Sequence, residues 1–177
     1  MKTNKSIIWL IVVIVLLILS YFIYNYKPIE FNTYEIGNDN IIVNRTDIEY
    51  LDTIANVGMD ILGIKDHVII IESNEFLIDL GEDIELLAWV LTKESQSIIY
   101  VNGNFNRNKA ITTLAHELIH IEQSRTGRFV RYQPPIILWD GEEYNGIEIE
   151  YNERPWEIDA FKRGSILADD IRNILVK

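Results

Sequence analysis

The chain has 177 residues, of which 48% are hydrophobic, enough for one domain with a buried core. It contains no cysteine, which excludes disulfides and thiolate metal sites, so any divalent metal must be bound by histidine and carboxylate groups. Beyond residue 26 the net charge is −13, from 27 acidic and 14 basic residues, and such a surface excludes nucleic acid as a partner because it repels phosphate.

The first predicted element is a membrane-spanning helix. Every residue from Ile7 to Leu19 is apolar, and the run continues after one serine to residue 24. A helix of about 18 residues is about 27 Å long, which matches the hydrocarbon core of a bilayer. A cleaved signal peptide is the alternative, but the run lacks the small-x-small site that such a peptide needs. We therefore expect an uncleaved anchor at residues 1–26, with residues 7–24 in the lipid bilayer. Aromatic residues that favour the membrane interface flank it: Trp9, Tyr21, Tyr24 and Tyr26.

The lysines around this anchor predict its orientation. Lys2 and Lys5 precede the apolar run and only Lys27 follows it. Because positive charge is enriched on the cytoplasmic side of a membrane segment, the N-terminus is expected in the cytoplasm. The chain is then a single-pass membrane protein whose soluble domain lies outside the cytoplasm.

The chain after the anchor begins with extended structure and a helix. Residues 27–45 are expected to form a tether and a first extended segment, and residues 46–177 a single domain. Thr46 and Asp47 can cap a helix that ends near Gly63, because apolar residues recur between them at helical spacing. Four short β-rich runs follow, separated by turn residues as strands should be: HVIIIE, FLIDL, IELLAWVL and SIIYV.

Two further helices flank a hairpin in the second half of the chain. One helix is predicted from about Asn108 to Ser124, with Gly127 as its stop. Asp140–Gly141 predicts the turn of a β-hairpin. Pro155, a favoured first-turn residue, starts a last helix that reaches about Ile174. The order helix, strands, helix, hairpin, helix indicates a small α+β fold.

The clearest chemical signal is the sequence LAHELIHIEQ at residues 114–123, in the middle predicted helix. On a helical wheel His116 and His120 lie about 40° apart on a polar stripe, opposite a broad apolar arc. Glu117 lies about 100° from His116, where it would meet a water molecule rather than the metal. In H-E-x-x-H two imidazoles hold a zinc ion and the intervening carboxylate takes a proton from water. Glu122 falls within the apolar arc, and the sequence indicates no partner for it.

A third metal ligand is expected from later in the chain. Catalytic zinc has three protein ligands, and because no histidine follows His120 the third should be a carboxylate. Glu157 shares its helix face with small and apolar residues, which would let the last helix pack closely against the middle one. Asp159 lies on the opposite, solvated face, and Glu153 precedes Pro155 and lies outside the helix. Glu157 is therefore the predicted ligand, with Glu153 and Asp159 as alternatives.

These motifs carry a family resemblance. TLAHELIHIEQ, followed by E-x-x-A from Glu157 to Ala160, resembles the gluzincin arrangement of zinc metallopeptidases. Together with W-D-G-x-x-Y and Y-x-x-R-P-W-E-x-D-A-F, it is similar to small zincin domains of bacteria and phages over residues 98–161. The resemblance implies a zincin-like domain with a mixed sheet, an active-site helix and a C-terminal ligand helix. It implies that the two motif histidines and Glu157 bind Zn²⁺, that Glu117 is the general base, and that SIIYV is the edge strand along which a peptide lies.

Four other residues are candidates for supporting roles. Gln123 lies on the polar stripe, where its amide would support a metal ligand or face solvent. Tyr144 and Tyr151 are candidate donors to the oxyanion that forms when water attacks a carbonyl, or they pack in the hairpin. Arg154 is interpreted as half of a surface ion pair, with substrate steering as the alternative.

The sequence therefore predicts a membrane-anchored zinc metallopeptidase that acts on a peptide or protein substrate. One alternative is a zinc-stabilised module at the membrane surface that binds a partner without cleaving it. A fourth protein ligand, such as Glu153 or Asp140, would favour that module because it would close the position needed for water. The other alternative is an anchored scaffold that binds no metal.

Overall fold

The computed structural model describes residues 32–35, 40–73, 87–94, 96–102 and 106–175. The predicted anchor at residues 1–26 and the predicted strand FLIDL lie outside these ranges. Within them, no helix combines the length and the apolar composition that crossing a bilayer requires.

A five-stranded mixed sheet forms one layer of the domain. Its strands lie in the order β1-β2-β3-β5-β4, where β2, β3 and β5 are parallel and β1 and β4 run antiparallel to their neighbours. Residues 27–45, expected to form a tether and a first extended segment, thus supply two strands of this sheet. In chain order the strands are β1 (Asn32–Glu35), β2 (Ile41–Arg45), β3 (His67–Glu72), β4 (Ala88–Thr92) and β5 (Ser97–Val101).

The position of β5 corrects one expectation. SIIYV forms β5 as predicted, but it lies between β3 and β4 and is not an edge strand. β4 pairs with β5 along its whole length, from Ala88 opposite Val101 to Thr92 opposite Ser97. β4 is therefore the last strand of the described sheet on this side.

The described residues form α1 (Leu51–Leu62) and α2 (Arg107–Arg125), which pack against the sheet, and α3 (Pro155–Leu175), which packs against these two helices. α1 ends at Gly63 with φ of 64° as predicted, but it begins at Leu51 rather than after Thr46 and Asp47. The hydroxyl of Thr46 donates to Asn44 (2.8 Å) and the Asn44 amide donates to the carbonyl of Ile48 (2.8 Å), so a turn precedes the helix.

The helices and the inner strands bury one apolar core. β-Branched residues dominate β3 and β5, as suits strands that pack side chains closely. α2 presents its predicted apolar arc to this core. The largest completely enclosed side chains of the core are Leu51, Ile54, Met59, Ile70, Ile99, Ile111, Leu114, Leu118, Ile119, Ile121 and Ile171.

A separate three-stranded antiparallel sheet lies between α2 and α3 in the chain. It consists of β6 (Phe129–Gln133), β7 (Ile136–Trp139) and β8 (Glu142–Asn145), in that order. Asp140 and Gly141 join β7 to β8 with φ of 49° and 88°. Two consecutive positive φ values are what a tight two-residue hairpin turn requires, so the predicted hairpin is confirmed. The α+β class is confirmed as well.

Gly164 allows α2 and α3 to approach closely. A Cβ atom at this position would lie 3.1 Å from the Cα atom of His116 and 3.3 Å from its backbone nitrogen. Backbone atoms cannot move aside as a side chain can, so a larger residue must push the helices apart. The predicted close packing along the Glu157 face is therefore present.

Gly164→Val should lower the free energy of unfolding by about 1–3 kcal/mol, because it overpacks this helix contact. Denaturant unfolding of the two proteins measures the difference. Ser165→Val introduces the same side chain at the next, exposed position of α3 and should change stability by less than about 0.5 kcal/mol. Equal stability of the two variants would show that the helices do not depend on the glycine.

Candidate metal centre

Three potential ligand atoms meet between α2 and α3. Nε2 of His116 and Nε2 of His120 lie 3.1 Å apart. Oε2 of Glu157 lies 3.3 Å from the first and 3.2 Å from the second. α2 supplies both imidazoles because they are one helical turn apart, and α3 brings the carboxylate opposite them. The sequence-predicted ligand set is thus together at one point.

This triangle fits a tetrahedral divalent ion. Ligand atoms at about 2.0–2.1 Å from a tetrahedral ion lie about 3.3 Å from one another. The three observed separations, from 3.1 to 3.3 Å, agree with that value. The donors are nitrogen and oxygen, which zinc accepts in a protein without cysteine. In the described part of the chain, His116, His120 and Glu157 are the one group of three such side chains this close together.

Gln123 fixes the orientation of His120. The side chain of Gln123 is completely buried, and its Nε2 donates to the carbonyl of Trp156 (3.0 Å) and to Oδ2 of Asp159 (2.9 Å). Its Oε1 therefore faces Nδ1 of His120, at 2.8 Å. Because the amide oxygen can only accept, Nδ1 carries a proton, and in the neutral ring with that proton Nε2 has the lone pair that can bind an ion. Of the two roles open to Gln123, the structure shows the supporting one.

Asp159 is not one of the three clustered side chains, but it holds Gln123 by accepting a hydrogen bond from it. Its Oδ2 also accepts hydrogen bonds from Nη1 of Arg128 (3.0 Å) and Nη1 of Arg163 (3.2 Å). Burial raises the pKa of Asp159, but these hydrogen bonds outweigh it and hold the pKa below its usual value. The expectation that Asp159 faces solvent is wrong, because Gln123 and Arg128 reach it from a neighbouring element.

The remaining candidates are Glu153, Tyr144 and Tyr151, and the structure places them in different surroundings. Glu153 is exposed in a short 3₁₀ turn (Tyr151–Glu153) before α3. Tyr144 donates its hydroxyl to Oε2 of Glu142 (3.0 Å). Tyr151 lines the same cleft as the predicted ligands, and burial together with the Glu157 charge raises the pKa of Tyr151. Neither Glu153 nor Tyr144 lines this cleft.

Glu117 lies buried beside the two histidines, and the electrostatics of this group are coupled. Burial raises the pKa of Glu117, while the charges of His120 and His116 oppose that effect. Burial lowers the pKa of His120, but its hydrogen bond to Glu157 helps raise that pKa to about 9. Burial also raises the pKa of Glu157, yet hydrogen bonds from both histidines hold it well below the usual range. A raised pKa makes the Glu117 carboxylate a better proton acceptor than an ordinary carboxylate.

Sequence reasoning left Glu122 without a partner, and the structure supplies one. Nη1 of Arg163 on α3 lies 2.8 Å from Oε2 of Glu122. The same guanidinium bonds Asp159, so Arg163 ties α2 to α3 beside the site. A helical wheel shows only the neighbours of a residue on its own helix, so this pair could not be identified from the sequence.

The triangle opens into a cleft of about 1100 Å³. One wall of the cleft is formed by β4 and the residues after it, and another by β6, β7 and the residues just before α3. Glu117 and the three ligands lie on its surface. The larger side chains around it include Trp89, Val90, Phe129, Ile137, Tyr151 and Arg154. The strand that borders the cleft is thus β4, not the predicted SIIYV.

Gln123→Met should weaken zinc binding by about 10–100-fold, the usual cost of removing the partner of a metal-ligating histidine. Methionine keeps the length of the side chain, so the change removes the hydrogen bonds more than the packing. Competition with a coloured chelator measures the affinity. Asn108→Ala, at an exposed position of the same helix, is the control and should leave it unchanged. Unchanged affinity in Gln123→Met would mean that the amide does not orient His120.

The gluzincin resemblance is carried by residues that are together in the folded chain. The two histidines, Glu117 and Glu157 border the same cleft, and Gln123 supports one histidine from behind. Comparisons of the chain with protein-family models, with curated proteins and with solved structures find no match.

Proposed function

We propose that the chain is a membrane-anchored zinc metallopeptidase of gluzincin type. One observation carries the proposal: Nε2 of His116, Nε2 of His120 and Oε2 of Glu157 form a triangle of the size that a tetrahedral ion requires. Glu117 lies buried beside this triangle, on a cleft large enough for a peptide segment. Residues 7–24 would hold the domain at the outer face of the membrane.

The residues would divide the reaction as follows. The two histidines and Glu157 bind the ion, and Gln123 keeps the ring of His120 in the required tautomer. A bound zinc ion supplies Lewis acidity towards water and towards a carbonyl. Glu117 accepts the proton of the attacking water and passes it to the leaving amine. Tyr151, next to Glu157, is the candidate donor to the developing oxyanion.

The shape of the cleft favours a peptide as the substrate. β4 borders it and is the end strand of the sheet that the described residues form; a strand in that position can pair with an extended chain through backbone N–H and C=O groups. Val90, Phe129 and Ile137 supply apolar surface for side chains of that peptide.

The second candidate function, a zinc-stabilised binding module, uses the same three ligands. A structural zinc site is closed by a fourth protein ligand. Of the two residues considered for that position, Glu153 is exposed. Asp140 binds Nε and Nη2 of Arg128 at 2.9 and 3.1 Å. The described part of the chain provides three clustered ligands, which favours the enzyme over the module.

Digestion of a peptide library by the full chain in detergent tests the proposal. We expect cleavage by the zinc-loaded protein, loss of cleavage when a chelator removes the metal, and recovery when zinc is added back. Magnesium is the control and should not restore cleavage, because it prefers six oxygen ligands. A folded protein that binds one zinc ion per chain and leaves every peptide intact would be the binding module instead.

A further inference from the structure

The guanidinium of Arg154 lies on the cleft beside the candidate metal centre. Its Cζ atom is 5.5 Å from the ring centroid of Tyr151, which lines the same cleft as Glu157. Nε donates to the carbonyl of Ile149 (3.2 Å) and Nη2 to the carbonyl of Gly146 (3.1 Å). These two bonds fix the orientation of the group, but neutral carbonyls do not balance its charge.

Arg154 does not form the surface ion pair that its sequence context suggested. Within the part of the chain that the structure describes, no carboxylate lies within ion-pair distance of it. Arginine has five N–H donors, of which two are used here, so three remain. By contrast, four other arginines form ion pairs with acidic side chains: Arg125 with Asp66, Arg128 with Asp140 and Asp159, Arg163 with Glu122, and Arg172 with Asp169.

Two further cations line the same cleft. Lys93 and Arg131 have no ion pair among the described residues, and the Cζ atom of Arg131 lies 6.0 Å from the ring centroid of Phe129. Outside the metal centre, Glu94 is the one acidic residue of the lining. On a domain with a net charge of −13, the cleft is therefore a positively charged area within an acidic surface.

We propose that Arg154 binds a carboxylate of the substrate peptide. The inference rests on the proposed peptidase function and narrows its substrates. A planar guanidinium with free donors matches the two oxygens of a carboxylate, and Lys93 and Arg131 add charge of the same sign. An acidic side chain and the peptide's own C-terminus both provide this group. The apolar part of the cleft selects hydrophobic residues next to it.

Binding of four matched peptides tests the inference without turnover. The zinc-loaded Glu117→Gln variant is titrated with an apolar peptide that contains one glutamate or one glutamine, each with a free or an amidated C-terminus. Trp89 and Trp156 line the cleft, so tryptophan fluorescence reports binding. A peptide with the recognised carboxylate should bind about tenfold to a hundredfold more tightly than its neutral counterpart. The difference should shrink at high salt. Dependence on glutamate identifies the side chain, and dependence on the free terminus identifies the C-terminus.

Variants assign the preference to Arg154. Arg154→Gln should abolish it, and Arg154→Lys should retain part of it because the charge stays while the two-pronged geometry is lost. Since Arg154 also holds two backbone carbonyls, Arg131→Gln is a second variant that breaks no such bond, and it should reduce the preference more modestly. Arg172→Gln removes a cation paired with Asp169 outside the cleft lining, and it should keep the full preference.

The outcomes separate this inference from the proposed function. If the four peptides bind alike, or none binds, Arg154 does not recognise a carboxylate. Retention of the full preference by Arg154→Gln overturns it as well. Cleavage of the same peptides by the parent protein is measured in parallel. Cleavage without preference refutes the role of Arg154 alone, whereas a carboxylate preference without any cleavage refutes the peptidase and leaves the role of Arg154 standing.

Discussion

Replacing Glu117 with glutamine should abolish peptide cleavage and leave zinc bound. Glu117 is buried on the cleft beside the ligand triangle, and burial raises its pKa, which makes its carboxylate a better proton acceptor. Glutamine has nearly the same shape but cannot accept that proton. Because general acid–base catalysis contributes typically about 10²–10⁴-fold, kcat/KM should fall by at least about 100-fold. Zinc content, measured on the same preparation, should equal that of the parent.

Glu122→Gln is the matched control for this variant. It is the same chemical change on the same helix, at a residue that pairs with Arg163 and not with the triangle. Its cleavage rate should stay close to that of the parent. If Glu117→Gln cleaves as well as Glu122→Gln, another group must take the proton. Loss of zinc in Glu117→Gln would instead assign Glu117 a part in holding the metal.

Features encoded by contiguous residues were predictable from the sequence. The apolar period of α2 predicted its ends within one residue, since Arg107–Arg125 was expected as about Asn108 to Ser124. Pro155 does start α3, and Asp140–Gly141 does form the hairpin turn. Each of these signals depends on backbone preferences within a few residues, which the rest of the fold did not override.

Features that depend on partners distant in sequence were not predictable in the same way. Backbone hydrogen bonds join β4 to β5. Backbone groups are alike in every strand, so the side chains of SIIYV could not show that another strand pairs with it. The start of α1 was wrong for a related reason. Asn44 accepts hydrogen bonds from the backbone and hydroxyl of Thr46, and that turn delays the helix to Leu51.

The candidate site contains one feature that the sequence predicted and others that depend on partners distant in sequence. Small residues on one face of α3 predicted that Glu157 would approach α2, and Gly164 makes that contact possible. Asp159 was wrongly placed in solvent, and the partner of Glu122 was not identified, because each residue was considered on its own helix. Arg163 contacts both of them across the interface, and only the packing of the two helices brings these three side chains together.

The central claim is that two imidazoles and the Glu157 carboxylate bind a single ion, and zinc titration of carboxylate variants tests it most directly. The parent chain should bind one zinc ion. Glu157→Ala leaves two ligands, so its affinity should fall by more than the roughly 10–100-fold that loss of a supporting residue costs. The zinc affinity of Asp159→Ala should fall by no more than about 10–100-fold, because Asp159 acts through Gln123. Glu153→Ala should bind zinc like the parent.

Circular dichroism of each variant confirms that the affinities are compared between folded proteins. The expected order of zinc affinity is Glu153→Ala equal to the parent, then Asp159→Ala, then Glu157→Ala by far the weakest. Parental affinity in folded Glu157→Ala, with zinc lost in Glu153→Ala or Asp159→Ala, would contradict the claim and move the third ligand away from Glu157.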